Sequence, residues 1–115
     1  MTTDQELITR AVHDYFEGWY DGDTARMDRA LHPELVKRSP AYGLGAILTK
    51  DQMVKFTADG EGTKVAADRR LDVRIGDVYE DIASVTVRSA PYYECLHLVR
   101  TDEGWKIANS LWLRR

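Results

Sequence analysis

The sequence predicts an α+β fold in which three N-terminal helices pack on a curved antiparallel sheet and enclose a pocket. In the first half of the chain, apolar residues recur at the spacing of amphipathic helices. After residue 70, they alternate with polar residues at the spacing of half-buried strands. Helices followed by strands are typical of the α+β class, and 115 residues suit one domain over residues 1–115.

The first helix has the clearest sequence signals. Thr3 and Glu6 form a capping-box pattern at its start, and residues 21–22 end it. Its apolar face consists of two adjacent rows, which are Leu7, Ala11, Tyr15 and Trp19, and Ile8, Val12, Phe16 and Tyr20. A face this broad predicts a helix that is packed closely against the sheet.

Two shorter helices follow. Thr24 is predicted to cap the second helix over residues 25–31, and Pro33 ends it because the residue before a proline avoids the helical region. Thr49 and Gln52 repeat the capping box at the start of the third helix.

Strands are predicted over residues 35–39, 71–75, 83–87, 93–100 and 105–113. A turn near residues 76–77 or 80–81 and a hairpin turn at residues 102–104 connect neighbouring strands, so the sheet is predicted to be antiparallel. Three helices do not fill the concave face of such a sheet, and the open end is predicted to form a pocket. The glycine-containing segment 41–48 is predicted to form its flexible rim.

Composition excludes several classes of partner. The 16 basic and 19 acidic residues are interleaved without a basic stripe, which argues against a nucleic-acid partner. No apolar run approaches the roughly 20 residues that span a bilayer, so no membrane partner is predicted. The single cysteine cannot form an internal disulfide, and the N-terminus lacks the features of a signal peptide, so the cytoplasm is the default location.

Four segments, taken together in their order, carry a resemblance to a known superfamily. They are residues 15–23 (YFEGWYDGD), 31–34 (LHPE), 93–98 (YECLHL) and 104–109 (GWKIAN). The chain resembles the nuclear transport factor 2-like superfamily, and within it the putative lumazine-binding and SnoaL-like polyketide-cyclase groups. This resemblance implies a cone-shaped, cystatin-like fold, a pocket for a small hydrophobic molecule, and a homodimer formed through the convex face of the sheet. The fold hosts several classes of enzyme and also non-enzymatic binders, so it does not define the function.

Ketosteroid isomerases share this fold, and the resemblance to them implies roles for three residues. Tyr15 matches a tyrosine that binds the oxyanion, and Glu94 matches a protonated acid that binds the same oxygen. The general base of those enzymes precedes a proline, and here Ser39 precedes Pro40. Serine is no base at neutral pH without a helper, so the polarising half of the site is retained and the proton-abstracting half is not.

Strand parity predicts which side chains face the pocket. In the strand 93–100, the leucines share the inner face with Glu94. In the last strand, Trp105 and Ile107 are predicted to face inward, which places Asn109 and Leu111 inward too. The opposite parity predicts an apolar partner surface on the convex face, formed by Trp112, His97, Cys95 and Tyr92.

The catalytic candidates are Tyr15, Glu94, His32 and Ser39, and the ligand-binding candidates are Trp19, Tyr42, Phe56, Leu96 and Asn109. Structural alternatives remain for several of them. A buried Glu94 can pair with Lys37, Lys106 or an arginine, and His32 can bond a carbonyl at the end of the second helix. The aromatic candidates can be core residues. No recognised ligand spacing is present, so neither a metal nor another cofactor is predicted.

Three functions fit these observations. The first is a cofactor-independent enzyme of the isomerase, cyclase or dehydratase type that polarises a carbonyl of a hydrophobic substrate. The second is a binding module with the same pocket and no chemistry, and the third is a dimerisation domain with a filled core. The convergence of Tyr15 and Glu94 on one apolar wall favours the enzyme.

Overall fold

A computed structural model describes residues 2–65 and 67–115, in which three helices pack on one five-stranded sheet. The predicted α+β class is confirmed. The elements are α1 (Asp4–Asp21), α2 (Thr24–Ala30), β1 (Leu31–Arg38), α3 (Lys50–Ala58), β2 (Leu71–Tyr79), β3 (Ile82–Ser89), β4 (Tyr92–Thr101) and β5 (Gly104–Arg114). Two short 3-10 turns cover Pro40–Tyr42 and Gly62–Val65.

The strand order is β1-β5-β4-β3-β2. Strands β2 to β5 pair antiparallel, as the hairpin signals predict. Strand β1 pairs parallel to β5, so the sheet is mixed rather than wholly antiparallel. The physical reason is that β1 and β5 are joined by most of the chain rather than by a hairpin, and such a long connection permits parallel pairing.

Helix α1 follows its sequence signals. The Thr3 hydroxyl accepts a hydrogen bond from the Glu6 amide at 3.2 Å, and the helix ends at Gly22, which has a φ of 66°. A left-handed residue at this point favours glycine, which has no Cβ to clash. The buried face of the helix consists of Ile8, Ala11, Val12, Asp14, Tyr15, Phe16, Gly18 and Tyr20.

The boundary between α2 and β1 differs from the prediction. The cap of α2 is Asp23 rather than Thr24, because the Asp23 side chain accepts a hydrogen bond from the Arg26 amide at 3.1 Å. The helix ends at Ala30, and Pro33 lies inside β1. Proline cannot donate to a ladder, and it is tolerated here because β1 is at the edge of the sheet.

A β-bulge interrupts the pairing of β4 with β5. Leu98 lies opposite Ile107, whereas the preceding residue of β4, His97, lies opposite Asn109. Ala108 is therefore an extra residue on β5. Such a residue reverses the relation between sequence parity and sheet face for the rest of the strand.

This bulge overturns the predicted parity of the last strand. Asn109 and Leu111 point to the exposed face, and Ser110 and Trp112 turn toward the helices. Tyr92 was also misplaced on the convex face, because it has the parity of Glu94 and is buried on the inner side. The apolar partner surface as first predicted does not form, since two of its four members point inward.

The outer face of the sheet nevertheless exposes apolar side chains. Tyr93, Leu111 and Leu113 are neighbours there, on β4 and β5, with Cys95 beside them. Among the described residues, no helix is both long enough and apolar enough to cross a membrane.

Candidate functional site

A cavity of about 400 Å³ lies between the helices and the inner face of the sheet. Its walls are mainly apolar and are formed by Phe16, Trp19, Ala46, Leu48, Met53, Phe56, Tyr92 and Trp112. Charged and polar side chains also line it, and they include Arg38, Tyr42, Glu61 and Arg114, all of which are exposed. The cavity is large enough for a small organic molecule.

A cluster of four polar side chains is buried at this cavity. The Tyr15 hydroxyl donates a hydrogen bond to Glu94 Oε1 at 2.9 Å, and the Ser110 hydroxyl donates to the same oxygen at 2.8 Å. Lys37 Nζ donates to the Tyr15 hydroxyl and lies 3.5 Å from Glu94 Oε1. None of the four residues is more than 7% exposed. Glu94 therefore has the ionic partner that its burial requires.

Three adjacent strands bring this cluster together. Strand β5 lies between β1 and β4, so Lys37 on β1 and Glu94 on β4 stand on either side of it. Ser110 pairs directly with Lys37 across the β1–β5 ladder. The bulge at Ala108 is what gives Ser110 its inward direction, and α1 supplies Tyr15 from above the sheet.

Burial shifts the ionisation of two members of the cluster in opposite directions. Burial raises the pKa of Tyr15 well above its ordinary value, and the nearby charge of Glu94 adds to this effect. Burial lowers the pKa of Lys37, while the attraction of Glu94 opposes that change. Tyr15 is therefore held as a neutral phenol, and Lys37 gives up a proton more readily than an exposed lysine does.

Two aromatic rings flank the Lys37 amine. Nζ lies 4.9 Å from the centroid of the Tyr15 ring and 5.1 Å from that of Trp112. Contacts of this kind stabilise the ammonium form through the ring quadrupoles. Trp112 also packs against Tyr92 and Tyr42, so the amine is held beside an aromatic wall.

Six of the residues predicted for the site line the cavity, namely Tyr15, Trp19, Ser39, Tyr42, Phe56 and Glu94. Ser39 is buried, and its hydroxyl accepts a hydrogen bond from the Ala41 amide at 3.2 Å at the start of the 3-10 turn. Tyr42 is 62% exposed at the cavity, and its ring centroid lies 5.9 Å from that of Trp112. The functional roles of these residues remain predictions.

Three predicted residues lie elsewhere. His32 belongs to β1 and not to a helix end, and its Nδ1 accepts a hydrogen bond from the Glu34 amide at 3.0 Å. Leu96 is buried in the core and is not part of the cavity lining. Asn109 lies on the outer face, where its amide nitrogen is 3.4 Å from His97 Nδ1. Its predicted place in the pocket is wrong, because the bulge precedes it.

Three further residues, Lys37, Ser110 and Trp112, contribute to the site and were not among its predicted members. Lys37 was considered only as an ionic partner of Glu94, although Leu35, Lys37 and Ser39 share one strand parity and are all buried. That alternation was a usable signal that Lys37 faces the core. Ser110 and Trp112 had no such signal, because their direction depends on the bulge.

The side chains of the cluster can donate hydrogen bonds to a ligand oxygen and transfer protons among themselves. They comprise an amine, a phenol, a hydroxyl and a carboxylate. Within residues 2–65 and 67–115, no three His, Cys, Asp or Glu side chains group closely enough to hold a metal ion.

Several solved structures are similar to this chain over nearly its whole length. An NTF-2 like protein of unknown function from Silicibacter pomeroyi DSS-3 is 19% identical, with a TM-score of 0.73 and full coverage of both chains. A domain with a cystatin-like fold from Nostoc punctiforme PCC 73102 is 20% identical over 100% of this chain and 80% of that chain, with a TM-score of 0.68. A ketosteroid isomerase-like protein from Erwinia carotovora atroseptica SCRI1043 is 17% identical, covers 99% and 98% of the two chains, and has a TM-score of 0.64. Identities this low show the fold alone, which is the NTF2-like fold.

The family follows from a match that spans nearly the whole chain. The model of the family described as putative lumazine-binding matches residues 3–113, and the chain belongs to this family. None of the curated proteins matches the sequence.

Proposed function

We propose that the cavity binds a small, mainly apolar molecule with a carbonyl oxygen, and that Lys37 and Tyr15 polarise this oxygen. The observation that carries the proposal is the burial of a charged Lys37–Glu94 pair in the wall of a mainly apolar cavity. Charged side chains are rarely buried without a role in pairing or binding. Donors fixed in a site of low dielectric constant stabilise negative charge that develops on a bound oxygen.

The hydrogen-bond directions favour Lys37 as the donor to the ligand. The protons of Tyr15 and Ser110 are both directed at Glu94, which leaves neither free in this arrangement. The Lys37 amine carries three protons, of which one is donated to Tyr15 and one faces Glu94. The third is available to a carbonyl oxygen, and a small rotation of Tyr15 adds a second donor.

The reaction classes that fit are isomerisation, cyclisation and dehydration, because each is accelerated when a carbonyl is polarised. The name of the Erwinia relative, ketosteroid isomerase-like, agrees with this class, and the name of the family agrees with a small-molecule pocket. The polarising cluster of Lys37, Tyr15 and Glu94 is the structural support for these reaction classes.

A carrier that binds the same molecules without chemistry is the second candidate. Ser39, which matches the general base of ketosteroid isomerases, has its hydroxyl engaged by the Ala41 amide. A serine in this state does not abstract a proton from a ligand at neutral pH. This observation favours binding without turnover.

Ligand-dependent thermal shifts test the binding proposal. Apolar ketones, each paired with the hydrocarbon that has a methylene group in place of the carbonyl, are added to the wild type, to Lys37→Met and to Lys64→Met as an exposed control. We expect both members of a pair to raise the Tm, with the ketone bound roughly tenfold more tightly because of a hydrogen bond from a charged donor. Lys37→Met should abolish that preference, and Lys64→Met should retain it.

Deuterium exchange separates the enzyme from the carrier. Bound ketones in D₂O are followed by NMR for exchange of the hydrogens next to the carbonyl. Exchange that depends on Lys37 supports catalysis, and binding without exchange supports the carrier. If no compound in the panel shifts the Tm, the cavity is not a binding site for this class and both candidates fail.

A further inference from the structure

Lys37 differs from the other lysines of the chain in its surroundings. It is the only lysine among the described residues that line the cavity, and it is 7% exposed. Its amine lies between two aromatic rings and contacts both an acid and a phenol. A hydrogen-bond donor to a ligand needs only an ammonium group, whereas the adjoining phenol and acid can also take a proton from the amine and leave it able to react.

We infer that Lys37 forms a reversible imine with the carbonyl compound that occupies the cavity, so that the natural ligands include apolar aldehydes or unhindered ketones. The inference rests on the proposed function, because it requires a carbonyl compound in this cavity. It goes further, because it assigns Lys37 as a covalent nucleophile in addition to its part as a hydrogen-bond donor.

A nucleophilic lysine must first lose a proton, and the structure provides a path for it. Lys37 Nζ donates to the Tyr15 hydroxyl, and that hydroxyl donates to Glu94 Oε1 at 2.9 Å. When Tyr15 passes its proton to Glu94 and receives one from Lys37, the ion pair becomes a neutral amine and a neutral acid. Burial makes this conversion less costly, because separated charges lose solvation inside the protein.

The reaction then balances with no other reagent. The lone pair of the neutral Lys37 amine forms the bond to the carbonyl carbon, and the proton held by Glu94 is returned to the carbonyl oxygen, giving a carbinolamine. The oxygen leaves as water after it accepts a second proton from the nitrogen through the same relay. In total, an ammonium and a carbonyl give a protonated imine and one water molecule, and Glu94 ends as the carboxylate with which it began.

The environment of the amine supports this chemistry. Burial lowers the pKa of Lys37, and each unit by which a lysine pKa falls raises the neutral fraction at pH 7 about tenfold. Apolar side chains that include Phe16, Trp19 and Met53 line the same cavity, and an apolar ligand bound against them displaces water, which favours an imine over its hydrolysis.

Lys106 provides a natural comparison. It is also buried, at 9% exposure, but its amine donates to the backbone carbonyl of Arg29 at 2.6 Å, and it does not line the cavity. A lysine that is buried for structural reasons alone should behave like Lys106. Reaction at Lys37 without reaction at Lys106 therefore separates the cavity environment from burial itself.

Reductive trapping tests the inference on the intact chain. The protein is incubated with 2-naphthaldehyde and cyanoborohydride near neutral pH, and the modified lysine is located by peptide mass spectrometry. We expect the reduced adduct at Lys37 to form roughly tenfold or more faster than at exposed Lys55 and Lys64, because burial lowers the pKa of Lys37 and the cavity holds the aldehyde beside its amine. A saturating amount of 2-naphthalenemethanol, which lacks the carbonyl, should suppress the reaction at Lys37 and leave the exposed lysines unaffected.

The variants and the thermal shifts distinguish the possible failures. Lys37→Arg keeps the positive charge and should bind 2-naphthalenemethanol but form no adduct in the cavity, while Lys106→Arg should be trapped like the wild type. Thermal shifts from both naphthyl compounds with no adduct at Lys37 overturn the imine and leave the proposed binding intact. Adducts spread evenly over the exposed lysines, with no thermal shift from either compound, overturn both. The competition among lysines within the wild type needs no variant, so the test stands even if a substitution prevents folding.

Discussion

The attraction between Lys37 and Glu94 offsets the free-energy cost of removing both charged groups from water. Their atoms are 3.5 Å apart, and both side chains are almost fully buried. Removing one partner of such a pair leaves the other charge unpaired, so Lys37→Met and Glu94→Gln are each expected to lower the free energy of unfolding by about 3 kcal/mol. The double variant should recover most of this loss, because no unpaired charge remains.

Urea unfolding of the wild type, the two single variants and the double variant measures this coupling. The exposed pair of Lys64 and Glu61 provides the control, and Lys64→Met should change the free energy by less than about 1 kcal/mol. Additive losses in the double variant would show that the two charges do not depend on each other.

Only some of the individual residues of the site could be predicted from the sequence. The strand alternation that places Glu94 among buried leucines is local, so its inward direction could be read from neighbouring residues. Its contact with Tyr15 joins two residues far apart in the chain and was anticipated through a resemblance. The donor role proposed for Lys37 could not be read from the sequence, because it depends on how Tyr15 and Ser110 direct their protons.

Strand β5 shows how one extra residue decides the composition of a site. With the bulge at Ala108, Ser110 reaches Glu94 at 2.8 Å and Asn109 lies outside. Ser110→Ala should therefore lower the free energy of unfolding by about 2 kcal/mol, since it removes a buried hydrogen bond to a charged group. Asn109→Ala should change it by less than about 0.5 kcal/mol, as expected for an exposed side chain.

Chemical denaturation of both variants under the same conditions compares them directly. The uninterrupted alternation predicted from the sequence requires the opposite order, with the larger loss at Asn109. That order would place the bulge elsewhere in β5 and remove Ser110 from the cluster.

The elements themselves were predictable to different degrees. Helices α1 and α3 have capping residues and apolar faces that are local in sequence, and the structure has both caps as predicted. Strand β1 begins at Leu31, within the stretch assigned to the second helix and the proline after it, because pairing with β5 outweighs the local effect of Pro33. The bulge has no local signal, since it arises from the register of two strands.

At the scale of the whole molecule, the helices cover the inner face of the sheet and leave its outer face exposed. Sequence periodicity predicts this two-layer arrangement, because each element shows one apolar face. The volume that remains open between the layers depends on how the surface of the sheet and the surface of the helices curve. The periodicity of the sequence does not determine this curvature. A pocket was predicted from the fold, but its volume could be obtained only from the structure.

The exposed outer face leads to a prediction of a homodimer through β4 and β5. Tyr93, Leu111 and Leu113 form an apolar surface there, and grouped exposed side chains of this kind mark interaction surfaces. These residues replace Trp112 and Tyr92 of the surface first predicted, and the expectation of a dimer is otherwise unchanged.

We expect Leu111→Glu to convert a dimer into a monomer, because a carboxylate at the centre of this surface would lose its water without gaining a partner. Leu44→Glu is the matched control, since Leu44 is similarly exposed, at 51% against 47%, but lies in the loop before α3. Light scattering after gel filtration, over a range of protein concentrations, measures the mass of each variant; a monomeric wild type, or a dimer that tolerates Leu111→Glu, would contradict the assignment of this face.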